Sequence, residues 1–318
     1  MNRCSACLLA ALAASPVPAA EVDSFTQRYE AFADATRALD AHTNALLDRA
    51  LARANQEVFD AAEGEAEPAC RPRRLYHHVR AVLGRRFVGQ LEVYVHRSDE
   101  VDKRRLTRAQ SIYRDFRFYE TPSLGLIRRI GAIVRIGEHI VGSDKFGHFF
   151  AEGYSYFKRA YRAGGGLPRA FRFGERSERI LYGGLTTGVY SYADLVANFN
   201  GMRFWTHLLG RHPDPLGQSL GPYVGCRDGR WVRLRDFSWA DYVDAGWDEG
   251  VNCNAFRNRS LLSRVERRLR ELEARTGRPM RCPVTRRYQA ALRKKYGAFY
   301  AQLINDRGLI PVVRHAGR

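Results

Sequence analysis

Apolar residues recur at helical spacing along several stretches of this chain, and this periodicity constrains its fold more than any other feature. The clearest case is residues 260–276, where the apolar positions are Leu261, Leu262, Val265, Leu269 and Leu272. These positions fall on one face of a helix, and Gly277 suits its C-terminal cap. Residues 24–60 show similar spacing in an alanine-rich background. A mainly α fold is therefore predicted.

Other segments complete the predicted architecture. Further helices are expected at residues 75–83, 124–140, 144–163, 192–209 and 285–305. Residues 89–96 alternate apolar and polar side chains, which predicts a short strand. Residues 212–253 are rich in Gly, Pro, Trp and Asp, so loops with short strands are expected there. Together the segments predict a multi-helix globular bundle with a minor β and loop component.

The helix predicted at residues 124–140 has an apolar face that is edged by arginines. A helix of this kind can lie on a membrane surface, although the pattern is more common in helices that face a protein core. The core-facing role is therefore favoured, and the membrane-surface role is kept as the alternative.

The first twenty residues have the order of a secretory signal. Arg3 precedes an apolar stretch at residues 6–14, and small residues at 17–19 stand just before Glu21. The apolar stretch is too short to span a bilayer. A signal peptide at 1–20 and a periplasmic or secreted bacterial protein are therefore expected. The remaining chain is predicted to comprise an N-terminal helical segment at 21–64, a core helical region at 65–210, and a loop-rich and helical region at 211–318.

Four cysteines follow the predicted signal, at Cys70, Cys226, Cys253 and Cys282. An even number in an exported protein favours two disulfides, and the sequence leaves all three pairings open. A bond from Cys226 to Cys253 or Cys282 would link the C-terminal third. The spacing of the cysteines does not resemble a zinc site.

The net charge of +18 favours anionic partners. For an exported protein these would be anionic lipids or envelope polymers. A solvated basic surface without a specific ligand is the alternative. Nucleic acid is not expected, because no recognition motif is present. No apolar run after the first twenty residues is long enough for a transmembrane helix.

A polar ladder crosses an otherwise aromatic segment of the chain. Asp144, His148, Glu152 and Tyr156 are four residues apart and would share one face of a helix. Asp144 and Glu152 would then lie about 12 Å apart along the axis, so His148 can share a site with only one of them. Glu152 is the more natural partner. Structural roles are the alternatives: Asp144 at the helix N-terminus, His148 hydrogen-bonded in the core, and Glu152 paired with Lys145 or an arginine.

A second motif occupies residues 187–201. Ser191 and Asp194 fit a capping box that opens a helix, and this role alone would explain both residues. Asn198 follows one turn later on the same face, and Gly201 would allow another helix to approach closely. Glu178 is a candidate third carboxylate, although pairing with nearby arginines is the favoured interpretation of that residue.

The two motifs resemble those of the VanZ-like group of bacterial envelope proteins and related small periplasmic proteins. The matching positions are Asp144, Lys145, His148 and Phe149 in the first motif, and Asp194, Asn198 and Gly201 in the second, with Glu178 as a looser match. The resemblance covers residues 142–204 and implies a shared site. VanZ-like proteins are typically embedded in the membrane, whereas this sequence has no spanning segment.

These patterns predict a polar site between the two motif helices. The candidate catalytic residues are His148, Glu152, Asp144, Asp194 and Asn198. Lys145 and Tyr156 are candidates for substrate binding, and His148, Glu152 and Asp194 are candidate ligands of a divalent metal. The corresponding activity would be metal-dependent or acid/base hydrolysis of an anionic, lipid-linked or phosphorylated envelope component. The alternatives are a non-catalytic periplasmic structural or membrane-surface interaction protein, and a binding protein for a small anionic ligand.

Overall fold

The computed structural model describes residues 21–61, 70–84, 89–122, 124, 129–178 and 187–312, and the predicted signal at 1–20 lies outside them. About 50% of the residues are helical and the sheets are small. The predicted mainly α class is therefore confirmed. The arrangement of the helices as a globular bundle stays a prediction.

The helices are named here in chain order. They are α1 (Thr36–Ala61), α2 (Pro72–Leu83), α3 (Gln90–Arg97), α4 (144–162), α5 (Gly166–Arg176), α6 (Tyr192–His207), α7 (Arg259–Thr276), α8 (Gln289–Tyr296) and α9 (Tyr300–Leu303). α4 is a continuous helix in which α-helical turns alternate with two π-helical segments, His148–Glu152 and Lys158–Arg162.

The strands form three small sheets. They are β1 (Lys103–Arg104), β2 (Ile133–Ile136), β3 (His139–Gly142), β4 (Val189–Tyr190), β5 (Val224–Arg227), β6 (Arg230–Arg233), β7 (Ala255–Phe256) and β8 (Ile310–Pro311). β1, β2 and β3 are antiparallel, as are β5 and β6. In the third sheet β7 lies between an antiparallel β4 and a parallel β8.

Two predicted elements are wrong. Residues 90–97 form helix α3, in which Leu91 and Val95 are buried four residues apart. The helix predicted at 124–140 is wrong over residues 133–140, which belong to the β2–β3 hairpin, and residues 125–128 lie outside the described residues. The branched side chains of Ile133, Val134 and Ile136 suit a strand, and Gly137 adopts the positive φ of 57° that the tight turn requires.

The predicted helix at 24–60 begins later than expected. Asp23 accepts hydrogen bonds from the backbone of Phe25 and Thr26, which stabilises a turn instead. The helix starts at Thr36, whose backbone N–H donates to Asp34 Oδ1. Competition from these aspartate side chains explains why apolar spacing alone placed the start too early.

The predictions for the C-terminal region are confirmed in most respects. α7 matches residues 260–276, with the Asn258 side chain at its N-terminal cap and Gly277 at φ 63° after its end. The helix predicted at 285–305 is present in part, because Gly297 at φ 48° separates α8 from the 3₁₀ turn and short α9 that follow.

The centre of the fold is a direct contact between α4 and α6 at two glycines. A Cβ atom on Gly153 would lie 2.6 Å from the backbone of Gly201, and one on Gly201 would lie 1.9 Å from the carbonyl oxygen of Phe149. Only glycine at both positions allows the two backbones to approach this closely. The close approach predicted at Gly201 is therefore confirmed, and it brings the two motifs together.

Two disulfides connect distant parts of the chain. Cys70 is bonded to Cys226, which ties the start of α2 to β5, and Cys253 is bonded to Cys282. Cys226 therefore does not pair within the C-terminal third. Disulfides are typical of proteins that fold in an oxidising compartment. Within the described part of the chain, no helix has both the length and the apolar character needed to cross a bilayer.

Candidate functional site

The site lies where the N-terminal halves of α4 and α6 meet. α4 begins directly after β3, and α6 begins after β4 with Ser191 as its cap. Ser191 Oγ accepts a hydrogen bond from the backbone N–H of Asp194, as the capping-box prediction requires. Because the helices cross at Gly153 and Gly201, the polar residues near the start of both helices face each other.

Lys145 is the centre of one half of the site. Its side chain is fully buried, and Nζ lies 2.7 Å from Asp144 Oδ2, 2.6 Å from Asp194 Oδ1 and 2.6 Å from Glu249 Oε1. An ammonium group has three N–H donors, and three carboxylate oxygens are within reach here, one for each donor. A role for Lys145 in substrate binding stays a prediction that this geometry does not favour.

His148 is the centre of the other half. Its Nε2 lies 3.2 Å from Asp194 Oδ2, and its Nδ1 lies 3.1 Å from Asn198 Oδ1 and 3.9 Å from Glu178 Oε1. The imidazole is 11% exposed, whereas Lys145 is 0% exposed. One ligand atom from each of His148, Glu178 and Asp194 lies within 4.8 Å of the others. His148 is therefore the more solvent-accessible of the two central residues.

The contacts of His148 place its Nε2 atom beside the carboxylate of Asp194. If Nδ1–H donates to Asn198 Oδ1, the lone pair on Nε2 faces the carboxylate of Asp194. Two lone pairs 3.2 Å apart repel unless a proton or a metal ion lies between them. The nitrogen and oxygen ligands of a tetrahedral zinc ion, bound at about 2.0–2.1 Å, are themselves about 3.3 Å apart. A histidine held by an amide oxygen is also the usual arrangement for a metal ligand.

Glu178 strengthens the case for a cation. Its side chain is 2% exposed, and Oε1 has no hydrogen-bond partner among the described residues. Burial raises the pKa of Glu178 well above its usual value, and the charges of Asp194 and Glu21 raise it further. A buried carboxylate that lacks a partner is costly unless it is protonated or binds a cation.

The carboxyl groups of the site differ in their pKa shifts. Burial raises the pKa of Asp144 and of Glu249. Burial also acts to raise the pKa of Asp194, but the charges of His148 and Lys145 outweigh it, and the pKa of Asp194 falls below its usual value. The pKa of Asp194 is therefore the one that falls among these three carboxyl groups, and Asp194 connects the two halves of the site.

Carboxyl groups outnumber basic groups in this interior. Among the described residues, five of them interact electrostatically: Glu21, Asp144, Glu178, Asp194 and Glu249. The basic groups that the same interactions identify are Lys145 and His148. Burial raises the pKa of four of these carboxyl groups, all except Asp194, so bound protons offset part of the negative charge.

The remaining predicted residues lie beside the site. Glu152 is partly exposed and contributes charge to the environment of Glu178, but it is not among the three residues that gather at His148. It is the last residue of the π-helical segment His148–Glu152, whose wider turn differs from the α-helical spacing assumed in the prediction. The Tyr156 phenol is buried against Gly174, and burial raises its pKa well above the usual value.

Three acidic residues of the site were not singled out as candidates from the sequence. Glu249 lies in the loop-rich region, held by Ser191 Oγ at 3.1 Å and by Asn254 Nδ2 at 2.8 Å. Glu21 accepts a hydrogen bond from Thr187 Oγ1 at 2.6 Å. Glu92 is on α3, near Asp144. Two consecutive acidic residues, Asp248 and Glu249, in the loop-rich region are the signal that could have identified Glu249.

Glu92 gives a prediction about pH. Burial, with a further contribution from Asp144, raises its pKa from 4.5 to about 8. Between these values the folded protein keeps a proton that the unfolded chain releases, so this residue lowers stability as pH rises through that window. At about 1.4 kcal/mol per pH unit, the Glu92→Gln variant is expected to be more stable than wild type at pH 8 by up to about 5 kcal/mol.

The measurement is urea unfolding of both proteins at pH 5 and pH 8. Glu273→Gln is the matched control, because Glu273 is exposed on α7. The free energies of unfolding of the two glutamine variants should differ at pH 8 and become more alike at pH 5. Equal pH dependence of the Glu92 and Glu273 variants would contradict the prediction.

Comparisons with protein-family models, with curated proteins and with solved structures gave no match. The chemistry available to the site follows from its own residues. His148, Glu178 and Asp194 provide one nitrogen and two carboxylate ligands, a set that suits zinc and similar divalent metals.

Proposed function

We propose that the protein is a metal-dependent hydrolase that acts on an anionic, lipid-linked or phosphorylated component of the bacterial envelope. The metal would be held by His148, Glu178 and Asp194. The observation that carries this proposal is the buried Oε1 atom of Glu178, which has no hydrogen-bond partner among the described residues and lies beside a histidine and an aspartate whose facing atoms are 3.2 Å apart. These three residues form an incomplete ligand shell.

The residues would have separate roles in such a reaction. A divalent metal bound by three protein ligands supplies an activated water or polarises the bond to be cleaved. Asn198 would hold the imidazole of His148 in the orientation for metal binding. Glu152 is partly exposed next to Glu178, which makes it the candidate general base. The fully buried Lys145 would fix Asp194.

The choice of substrate rests on charge and compartment. A net charge of +18 attracts anionic molecules. The two disulfides agree with export to the periplasm or beyond the cell, where lipid-linked and phosphorylated polymers are available. The resemblance of the two motifs to VanZ-like envelope proteins supports the same compartment.

A non-catalytic envelope protein is the second candidate, and one observation favours it. Lys145 is fully buried with all of its donors paired, as in a network that only holds helices together. The partial exposure of His148 favours the hydrolase, because a purely structural ladder would have no need of solvent access.

Metal content tests the proposal. Wild-type protein, purified without chelators or a metal-affinity tag, is expected to contain about one divalent metal per chain. The His148→Ala variant is expected to lose it, because removal of one of three protein ligands weakens binding by at least 100-fold. Elemental analysis gives the metal content, and circular dichroism reports whether the variant is folded.

His77→Ala is the matched control, because His77 is exposed on α2. It should retain the wild-type metal content. If wild type and both variants contain no metal and bind none on titration with zinc or manganese, the hydrolase proposal is wrong. If the metal is found, hydrolysis of phosphomonoesters, phosphodiesters and phospholipids with and without chelator is the next assay.

A further inference from the structure

We infer that Asp144, Asp194 and Glu249 form a second divalent-cation site, in which the ammonium group of Lys145 takes the place of the metal. This inference goes beyond the proposed metal at His148, Glu178 and Asp194. The protein then contains the oxygen ligands for two cations, and one of these cations is the ammonium group of its own Lys145.

The positions of the oxygen atoms carry the inference. Asp144, Asp194 and Glu249 each place one carboxylate oxygen within 4.8 Å of the other two, and all three side chains are buried. Lys145 Nζ lies 2.6–2.7 Å from each of these oxygens. Oxygen ligands lie about 2.3–2.6 Å from calcium and closer to magnesium. The three oxygens therefore surround a cation-sized space with nearly the dimensions of a metal shell.

The neighbours of Glu249 support a preformed shell. Its Oε1 accepts a hydrogen bond from Ser191, and its Oε2 accepts one from Asn254. These bonds fix the carboxylate independently of Lys145. The cation expected in the absence of the lysine is a hard divalent ion, such as manganese, magnesium or calcium, because all three ligands are oxygens.

Asp194 connects this group of carboxylates to the proposed metal site at His148. Its Oδ1 faces Lys145 and its Oδ2 faces His148, so one carboxylate bridges the two cation positions. Bridging carboxylates are a feature of sites with two metals. Here Lys145 supplies a fixed positive charge at one position, which leaves a single exchangeable metal at the other. Lys145 is therefore a positioning residue for Asp194.

Manganese titration of Lys145→Ala tests the inference. This change removes the ammonium group and leaves all three carboxylates. The variant is expected to bind one more Mn²⁺ ion per chain than wild type, measured by electron paramagnetic resonance of free Mn²⁺. The midpoint temperature of thermal unfolding should also rise more steeply with Mn²⁺ concentration in the variant than in wild type.

A double variant provides the control. Lys145→Ala/Asp144→Asn removes one oxygen ligand from the carboxylates around Lys145 and leaves the proposed metal ligands at His148 unchanged. The additional ion should be lost in this variant. If Lys145→Ala does not fold without metal, recovery of its circular dichroism spectrum on refolding with millimolar Mn²⁺ is the readout.

The results separate this inference from the proposed function. An additional ion in Lys145→Ala that the double variant loses supports the inference, even when wild type binds none and the hydrolase proposal fails. One ion in wild type and no additional ion in Lys145→Ala overturns the inference and leaves the hydrolase proposal standing. Failure of Mn²⁺ to refold Lys145→Ala, while Lys145→Met folds, also overturns it.

Discussion

Replacing Gly201 with alanine is expected to destabilise the protein by about 1–3 kcal/mol and to abolish the proposed metal binding. The added Cβ would lie 1.9 Å from the carbonyl oxygen of Phe149. That oxygen belongs to the backbone of α4, so no side-chain rotation can relieve the overlap. The two helices must move apart, and this movement separates His148 from Asp194 and Asn198. Urea unfolding and metal titration measure the two effects.

Gly147→Ala is the matched control, because it makes the same substitution in helix α4. The nearest atom to a Cβ on Gly147 is Glu92 Oε2, at 3.9 Å, which is ordinary contact. This variant should be as stable as wild type, or more stable by up to about 1 kcal/mol, because alanine favours helices. Equal stabilities of the Gly147 and Gly201 variants would contradict the close contact between α4 and α6.

The second large effect is expected from Glu178→Gln, which should stabilise the metal-free protein and prevent metal binding. Burial holds the pKa of Glu178 well above its usual value. The folded protein therefore keeps a proton that the unfolded chain releases, and wild type loses stability as pH rises above about 4.5, the usual pKa of a glutamate side chain. Glutamine removes this loss. It also replaces a carboxylate ligand with a weaker neutral one, so metal affinity should fall at least 100-fold.

Thermal unfolding at pH 7 with chelator and with excess metal reveals both changes. The Glu178→Gln variant should unfold at a higher temperature than wild type with chelator, and the difference should shrink or reverse with metal. Glu138→Gln is the control, since the Glu138 side chain is 72% exposed. A variant that is less stable than wild type with chelator, at every pH above 5, would show that the Glu178 carboxylate has a stabilising partner.

The convergence of the two motifs could be predicted because both are on helices. Helical spacing places Asp144 and His148 on one face and Asp194 and Asn198 on another, and Gly201 indicates where the faces meet. Each of these residues lies where the sequence predicts a helix. The metal set was predicted with Glu152, whereas Glu178 joins His148 and Asp194 in the structure.

The rest of the site could not be predicted for physical reasons. Glu249 is 104 residues from Lys145 and lies in a loop without periodicity, so only the tertiary fold brings the two together. The β2–β3 hairpin has apolar residues at spacings that also fit a helix, and its pairing with β1 decides the outcome. The position of Glu152 outside the group at His148 depends on a π-helical turn, and side-chain spacing in the sequence does not indicate such a turn.

The π-helical segments of α4 determine where this helix tolerates a change in chain length. A π turn accommodates one more residue than the α turn it replaces, so the helix before it and the helix after it keep their relative orientation. Deletion of one residue within His148–Glu152 would turn this segment into a regular α turn and leave the two ends of α4 aligned. Deletion of one residue from the α-helical part Gly153–Phe157 would instead rotate the two ends by about 100° relative to each other. The same one-residue change is therefore tolerated in one turn of α4 and not in the next.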